Sequence, residues 1–178
     1  MIVLLSYPYL IRESQQTNMS KHKAPVTPAI RQLRAHKVAF SDHLYRYESG
    51  GGTRVSAREL GVDEHTVIKT LVMEDENKNP LIILMHGDCE VSTKTLARSI
   101  GVKAISPCKP DVADRHSGYQ VGGTSPFGTR KEMPVFCEES IFDLEKIYIN
   151  GGKRGYLIAL SPADLKRVLK PIPVSAAQ

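Results

Sequence analysis

Two apolar runs joined by a polar turn dominate the hydropathy pattern. Residues 67–74 read Val-Ile-Lys-Thr-Leu-Val-Met-Glu and residues 81–86 read Leu-Ile-Ile-Leu-Met-His, with Glu76-Asn77-Lys78-Asn79-Pro80 between them. Runs this short, bounded by turn residues, predict strands and hence a central hairpin. Ahead of it, Thr27-Pro28 pairs a good N-cap with a residue that needs no N–H, predicting a helix over 28–36 with Ile30 and Leu33 inward. Residues 38–47 alternate well enough for a first strand, irregular near Asp42-His43. Gly50-Gly51-Gly52 then breaks the chain, and with no Lys-Ser/Thr opening a helix after it, a flexible loop is the expectation. Ser56-Ala57-Arg58-Glu59 has capping-box spacing and predicts a short helix closed by Gly61, followed by a further turn capped by Asp63.

Beyond the hairpin, Ser92 predicts a cap for a helix over 93–100 that Gly101 ends, and 102–105 a short strand stopped by Pro107. A helix over 111–116 runs into a glycine-rich loop at 118–128. Strands follow at 133–137, 146–149 and 156–160. Ser161-Pro162 opens a last helix through Leu169, and the tail from Pro171 is expected to fray. Hairpins mixed with short helices, without regular strand–helix alternation, predict an α+β fold: one domain with a mixed, mostly antiparallel sheet and flanking short helices. Residues 1–26 begin with an apolar stretch broken by Pro8 that lacks a basic start and is too short to span a bilayer. They are read as a loosely ordered extension or an over-long start assignment, with the domain at 27–170 and the tail at 171–178.

Composition changes this picture little. The chain has 178 residues, 41% hydrophobic and 24% charged, enough for a sizeable single core. A net charge of +5 leans toward polyanionic partners without requiring one. Cys89, Cys108 and Cys137 are odd in number and widely spaced, which fits a reduced, cytosolic compartment and structural roles. The six histidines show no H-x3-H or HExxH spacing, so neither a metal nor another cofactor is expected.

Three stretches carry candidate chemistry. The loop Gly118-Tyr119-Gln120-Val121-Gly122-Gly123-Thr124-Ser125-Pro126-Phe127-Gly128 leaves its backbone free to approach a ligand and aim N–H groups at it, although a tight surface turn is the plainer reading of a Gly-Gly pair. A second cluster, Asn150-Gly151-Gly152-Lys153-Arg154-Gly155, follows a strand. Lys69 sits inside an apolar run: if both faces are covered its ammonium needs an anion, and if one face is wet it is a surface lysine. No G-x-S-x-G nucleophile elbow occurs, but N–H groups of Gly123, Thr124 and Ser125 could stabilise an oxyanion without a catalytic triad.

These three stretches, in this order and spacing, resemble the YbaK/EbsC-type aminoacyl-tRNA deacylases, free-standing relatives of the editing domain of bacterial prolyl-tRNA synthetase. The likeness covers about residues 27–170. It implies a cytoplasmic, membrane-independent enzyme that hydrolyses mischarged tRNA(Pro), foremost Cys-tRNA(Pro), in trans, with prolyl-tRNA synthetase as a partner candidate. It assigns Lys69 to the phosphate or ribose of the terminal nucleotide. Gly122, Gly123, Thr124, Ser125 and Pro126 would form the wall around the aminoacyl group, with Tyr119 and Phe127 from the same loop counted among the substrate-binding residues. Tyr47 falls at the pocket edge, Asn150 in the second motif, and Gly151, Gly152, Lys153 and Arg154 at the mouth. In such relatives the substrate's own thiol is thought to attack the ester. Asn150 stands where cysteine-editing relatives commonly have serine and Phe127 where some have leucine, so alanine or another small amino acid stays open as the target. A non-catalytic tRNA- or nucleotide-binding module is the competing class.

Overall fold

The computed structural model describes residues 23–178, so most of the stretch read as an extension, residues 1–22, lies outside the described residues. Five helices, α1 (Pro28–Ala35), α2 (Gly52–Leu60), α3 (Thr93–Ile100), α4 (Pro110–Ser117) and α5 (Pro162–Leu169), flank one sheet. Its strands are β1 (Ser41–Leu44), β2 (Val67–Asp75), β3 (Pro80–His86), β4 (Ile105–Pro107), β5 (Val135–Glu138), β6 (Ile147–Lys153), β7 (Tyr156–Leu160) and β8 (Ile172–Val174). The spatial order is β1-β7-β6-β2-β3-β5-β8, with β4 also on β2. Pairings β1/β7, β2/β3, β2/β4 and β6/β7 are antiparallel and β2/β6, β3/β5 and β5/β8 parallel. The α+β, mixed-sheet expectation is met, and the predicted hairpin is its centre.

Strand alternation divides the core. Ile68 and Val72 of β2 face one layer, with Ile30 and Leu33 of α1, Tyr119 and Phe127. Leu71 and Met73 face the other, against Leu96 and Ala97 of α3. Every residue of β3 is buried, as a central strand covered on both faces must be. Local signals place the helices. Thr27, Ser92 and Ser161 cap α1, α3 and α5 through their side chains, and Gly61, Gly101 and Gly118 end α2, α3 and α4 in the left-handed conformation.

Four details depart from the sequence reading. Helix α2 starts at Gly52, inside the triple glycine, and Ser56 is buried mid-helix with its hydroxyl donating to the Thr53 carbonyl at 2.9 Å, so the capping-box spacing is coincidental. The short strand β4 lies at Ile105–Pro107, where its partners Met73–Asp75 end the long strand β2. Glycines 151 and 152 belong to β6, which continues through an irregularity to Lys153 before Arg154-Gly155 turn the chain. The tail does not fray: β8 pairs with β5, and the buried Glu138 carboxylate accepts the Ala176 and Ala177 N–H groups at 2.8 and 2.9 Å. Sequence periodicity over three residues is too short to show such an edge strand.

Candidate active site

The glycine-rich loop is fixed at both ends and bent against the β6–β7 hairpin. Gly118 closes α4 at φ +79, and the next residue, Tyr119, is buried and donates its hydroxyl to the Phe127 carbonyl at 2.6 Å, closing the loop on itself. At the far end the Gly128 N–H donates to Gln32 Oε1 of α1, and a β-carbon at Gly128 would collide with the Pro28 backbone at 2.5 Å. Phe127 is fully buried. Tyr119 and Phe127 thus anchor the loop from beneath, by burial worth about 1.5–3 kcal/mol each, rather than presenting side chains to solvent.

Above these anchors the loop meets the hairpin. Arg154 Nε donates to the Val121 carbonyl at 2.9 Å, and Asn150 Nδ2 to the Gly122 carbonyl at 3.4 Å. Asn150 Oδ1 also accepts the Gly152 and Lys153 N–H groups at 2.7 and 3.1 Å, so one side chain shapes the irregularity in β6 and ties it to the loop. A β-carbon at Gly123 would stand 2.6 Å from the Arg154 nitrogen, and one at Gly122 2.6 Å from the Tyr47 hydroxyl. Tyr47 is half-buried, with the Arg154 guanidinium 5.4 Å from its ring centroid. The Thr27 hydroxyl donates to the Gly151 carbonyl, linking α1 to the same hairpin. Within the loop, the Gly123 N–H is committed to the Gln120 carbonyl at 2.8 Å, whereas those of Thr124 and Ser125 have no protein partner among the described residues. Ser125 is fully buried and Pro126 buried with it, so of the two N–H groups only that of the half-buried Thr124 is open to a ligand.

Lys69 occupies the stretch of β2 between two partners. Pairing with β6 ends at Ile68↔Ile149 and pairing with β4 begins at Met73↔Pro107. Residues 69–72 lie between. Asn150 is, like Lys69, the first residue beyond the Ile68↔Ile149 pair, so the two strands run side by side up to these residues, but no hydrogen bond joins the Lys69 side chain to Asn150 or to the loop among the described residues. The half-buried Lys69 ammonium donates to the Cys89 carbonyl at 2.7 Å. On the opposite face of β2, Thr70 Oγ1 is buried without a hydrogen-bond partner among the described residues, an unsatisfied group that the sequence reading did not single out.

The mouth is basic. Pro25, Leu44, Tyr45, Arg46, Tyr47, Lys153, Arg154, Gly155 and Tyr156 line an open groove of about 400 Å³. Among the described residues Arg46, Lys153 and Arg154 take part in no ion pair, in contrast to Arg58, Arg115 and Arg167. Burial pushes the Tyr119 hydroxyl up to about 12, so it stays a donor across the physiological range. Burial likewise raises Tyr45.

Beside Lys69 the fold gathers residues that spacing along the chain could not connect. His65 Nδ1 lies 2.9 Å from Asp88 Oδ1, and the His65 ring stacks on His86 with centroids 3.7 Å apart. Ligand atoms of His65, Asp88 and Cys89 lie within 4.8 Å of one another, the group among the described residues with the donor types to hold a metal ion. Burial works against the Asp88 anion, but hydrogen bonds from His65 and the Cys89 thiol outweigh it and hold Asp88 below its ordinary value. Burial and the adjacent Asp88 raise Cys89, the reverse of an activated thiol. Burial raises Cys108 to about 11 and Cys137 to about 12.

The family model of the aminoacyl-tRNA editing domain matches residues 51–168. Among curated proteins, the chain is 29% identical over 137 residues to EbsC of Enterococcus faecalis, whose name assigns it as a Cys-tRNA(Pro)/Cys-tRNA(Cys) deacylase; the match covers 76% of this chain and 84% of that one. It is 24% identical over 140 residues to YwhH of Bacillus subtilis, covering 77% and 88%. A proline–tRNA ligase of Brachyspira hyodysenteriae matches at 24% over 86 residues, 48% of this chain and 15% of the ligase. Among solved structures, one described as a trans-editing enzyme for prolyl-tRNA synthetase superposes with a TM-score of 0.73 at 17% identity, covering 86% of this chain and 99% of that one. The hypothetical protein APE2540 superposes at 0.78 with 18% identity, covering 85% and 100%.

Proposed function

The chain belongs to the aminoacyl-tRNA editing domain family, and on that premise we propose that it is a trans-acting deacylase that removes a small amino acid, foremost cysteine, from mischarged tRNA(Pro). The observation that carries this reading is the packing of the glycine loop on the β6–β7 hairpin beside the Lys69 strand, with the unpartnered N–H of the half-buried Thr124 and a basic mouth. Such an enzyme answers a physical need: a small pocket separates near-isosteric amino acids by only about 1–3 kcal/mol, and a second hydrolytic site supplies the remainder.

In this account Lys69 and the basic mouth take the terminal nucleotide, and the Gly122–Pro126 wall takes the amino acid. The Thr124 N–H group, on the half-buried residue of the pair, receives the oxyanion as the ester carbonyl becomes tetrahedral, while the fully buried Ser125 supports the wall from behind. For cysteine, the substrate's sulfur attacks its own carbonyl carbon. The bond to the ribose oxygen breaks, that oxygen takes the proton given up by the thiol, and water then opens the cyclic thioester. The protein supplies orientation and charge stabilisation rather than a nucleophile, consistent with the raised Cys89 thiol. To Asn150, tied to Gly122, this reading assigns the choice between cysteine and alanine. The site of action is the cytosol, on tRNA(Pro) released by or held on prolyl-tRNA synthetase; no helix among the described residues is long and apolar enough to cross a membrane.

The test is multiple-turnover deacylation of tRNA(Pro) charged with cysteine, alanine or proline. Release of cysteine or alanine with proline spared supports the reading. Tight binding of charged tRNA without release of any amino acid would replace it with a binding module.

A further inference from the structure

A second basic surface lies away from the mouth. Thr93, Lys94, Ala97 and Arg98 of α3, with Val102, Lys103, Ala104 and Ile105 leading into β4, line an open groove of about 470 Å³. Its three cations are exposed and, among the described residues, take part in no ion pair. Lys94 and Arg98 are one helical turn apart on one face of α3. Glu76 accepts the Lys103 and Ala104 N–H groups at 3.1 and 3.3 Å, and so braces the groove wall without forming an ion pair with the side-chain cations.

The groove's relation to Lys69 is set by the sheet. Lys69, Leu71 and Met73 point to the face of β2 on which α3 packs, and Ile105 pairs with Asp75. Six residues of strand separate Lys69 from Asp75, about 20 Å at the usual rise. That distance matches roughly six phosphates of a stacked strand, and fewer of an extended one. We propose that the α3–β4 groove binds the sugar–phosphate backbone of the acceptor stem, several nucleotides from an aminoacyl end held at Lys69. This rests on the deacylase reading for the position of that end. Contacts of this kind carry no base information, so the groove recognises the stem and leaves discrimination to the aminoacyl pocket.

The experiment compares wild type with Lys94→Glu/Arg98→Glu in two measurements. Filter binding of uncharged tRNA(Pro) across a salt series reads the groove alone, and kcat/KM is measured on Cys-tRNA(Pro) and on cysteinyl-adenosine, which has no stem. The expected result is at least tenfold weaker tRNA binding, a slope of log K against log salt shallower by about 2, a matching loss of kcat/KM on Cys-tRNA(Pro), and unchanged turnover of cysteinyl-adenosine. Unchanged tRNA affinity and slope in the double variant, or no tRNA binding by wild type, overturns the groove. Charge-dependent binding lost in the variant, with no deacylation by wild type, upholds the groove and overturns the deacylase reading instead.

Discussion

Adding one methyl group at Gly123 tests whether the loop and the hairpin form a single working surface. Gly123 has no unusual φ, so alanine there introduces no backbone strain and acts through contact alone. Its β-carbon would stand 2.6 Å from the Arg154 nitrogen and 2.9 Å from the Lys153 carbonyl carbon, where ordinary contact begins near 3.4 Å. Both neighbours are backbone, so the loop and hairpin must part by the difference between 3.4 and 2.6 Å, about 0.8 Å. That movement stretches the Arg154–Val121 and Asn150–Gly122 hydrogen bonds. Overpacking of this kind costs about 1–3 kcal/mol, or a Tm lowered by roughly 2–4 °C per kcal/mol for a chain this size. A misplacement of ~1 Å at a site that works by positioning costs on the order of 100-fold in rate. The paired control is Gly61→Ala, where φ is +65 and a β-carbon meets nothing within 4 Å. It pays about 1 kcal/mol of left-handed strain without touching the loop. Thermal melts and deacylation kcat/KM of both variants decide the matter: the Gly123 variant should lose far more activity than its stability predicts, and the Gly61 variant only stability. Wild-type kcat/KM in the Gly123 variant, or equal losses in both, would refute the reasoning.

Three further outcomes follow from the same structure. Arg154→Ala removes the bond to Val121 and the contact with the Tyr47 ring, together about 1–2 kcal/mol of stability, and should lower Tm in thermal melts and lower kcat/KM for Cys-tRNA(Pro), since the loop loses a tie to the hairpin and the mouth a cation. Glu138→Ala orphans the Ala176 and Ala177 N–H groups; a loss of about 1–3 kcal/mol in urea unfolding is expected, with faster hydrogen exchange at 176 and 177 and Glu138→Gln milder. Burial holds Cys137 and Tyr119 at about 12 and Cys108 at about 11, against ordinary values of 9.0 for the thiols and 10.0 for the phenol. The folded state therefore keeps protons that the unfolded chain releases, so stability is complete below about pH 9 and declines as pH rises through 11; Tm should fall over that window, less steeply in Cys137→Ala.

What the sequence made legible was local or strongly patterned. Thr27-Pro28, Ser92 and Ser161-Pro162 placed three helix starts because capping involves neighbours three residues apart, and the β2–β3 hairpin stood out through its length. The three candidate stretches were visible because glycines and an embedded lysine are unusual in their contexts. What they do to one another was not visible, since the Asn150–Gly122 and Arg154–Val121 bonds join segments about thirty residues apart. Tyr119 and Phe127 lie in the loop motif but act as its buried anchors, a distinction that only burial reveals. Gln32, Glu138 and the His65–Asp88 pair have no local signature, because each bonds to a segment more than twenty residues away in sequence. The triple glycine misled for a physical reason: helix α2 begins within it at Gly52, at φ +59, a conformation only glycine adopts readily.

The most direct measurement of the central claim, hydrolysis by positioning around Lys69 without a protein nucleophile, is multiple-turnover deacylation of Cys-tRNA(Pro) by wild type, Lys69→Ala and Cys89→Ser. Lys69→Ala should fold as wild type, since it gives up one hydrogen bond to the Cys89 carbonyl, about 1 kcal/mol, yet lose on the order of 100-fold in kcat/KM. Cys89→Ser should stay within a few-fold of wild type. Activity that survives the loss of Lys69 and disappears with the Cys89 thiol would contradict the account.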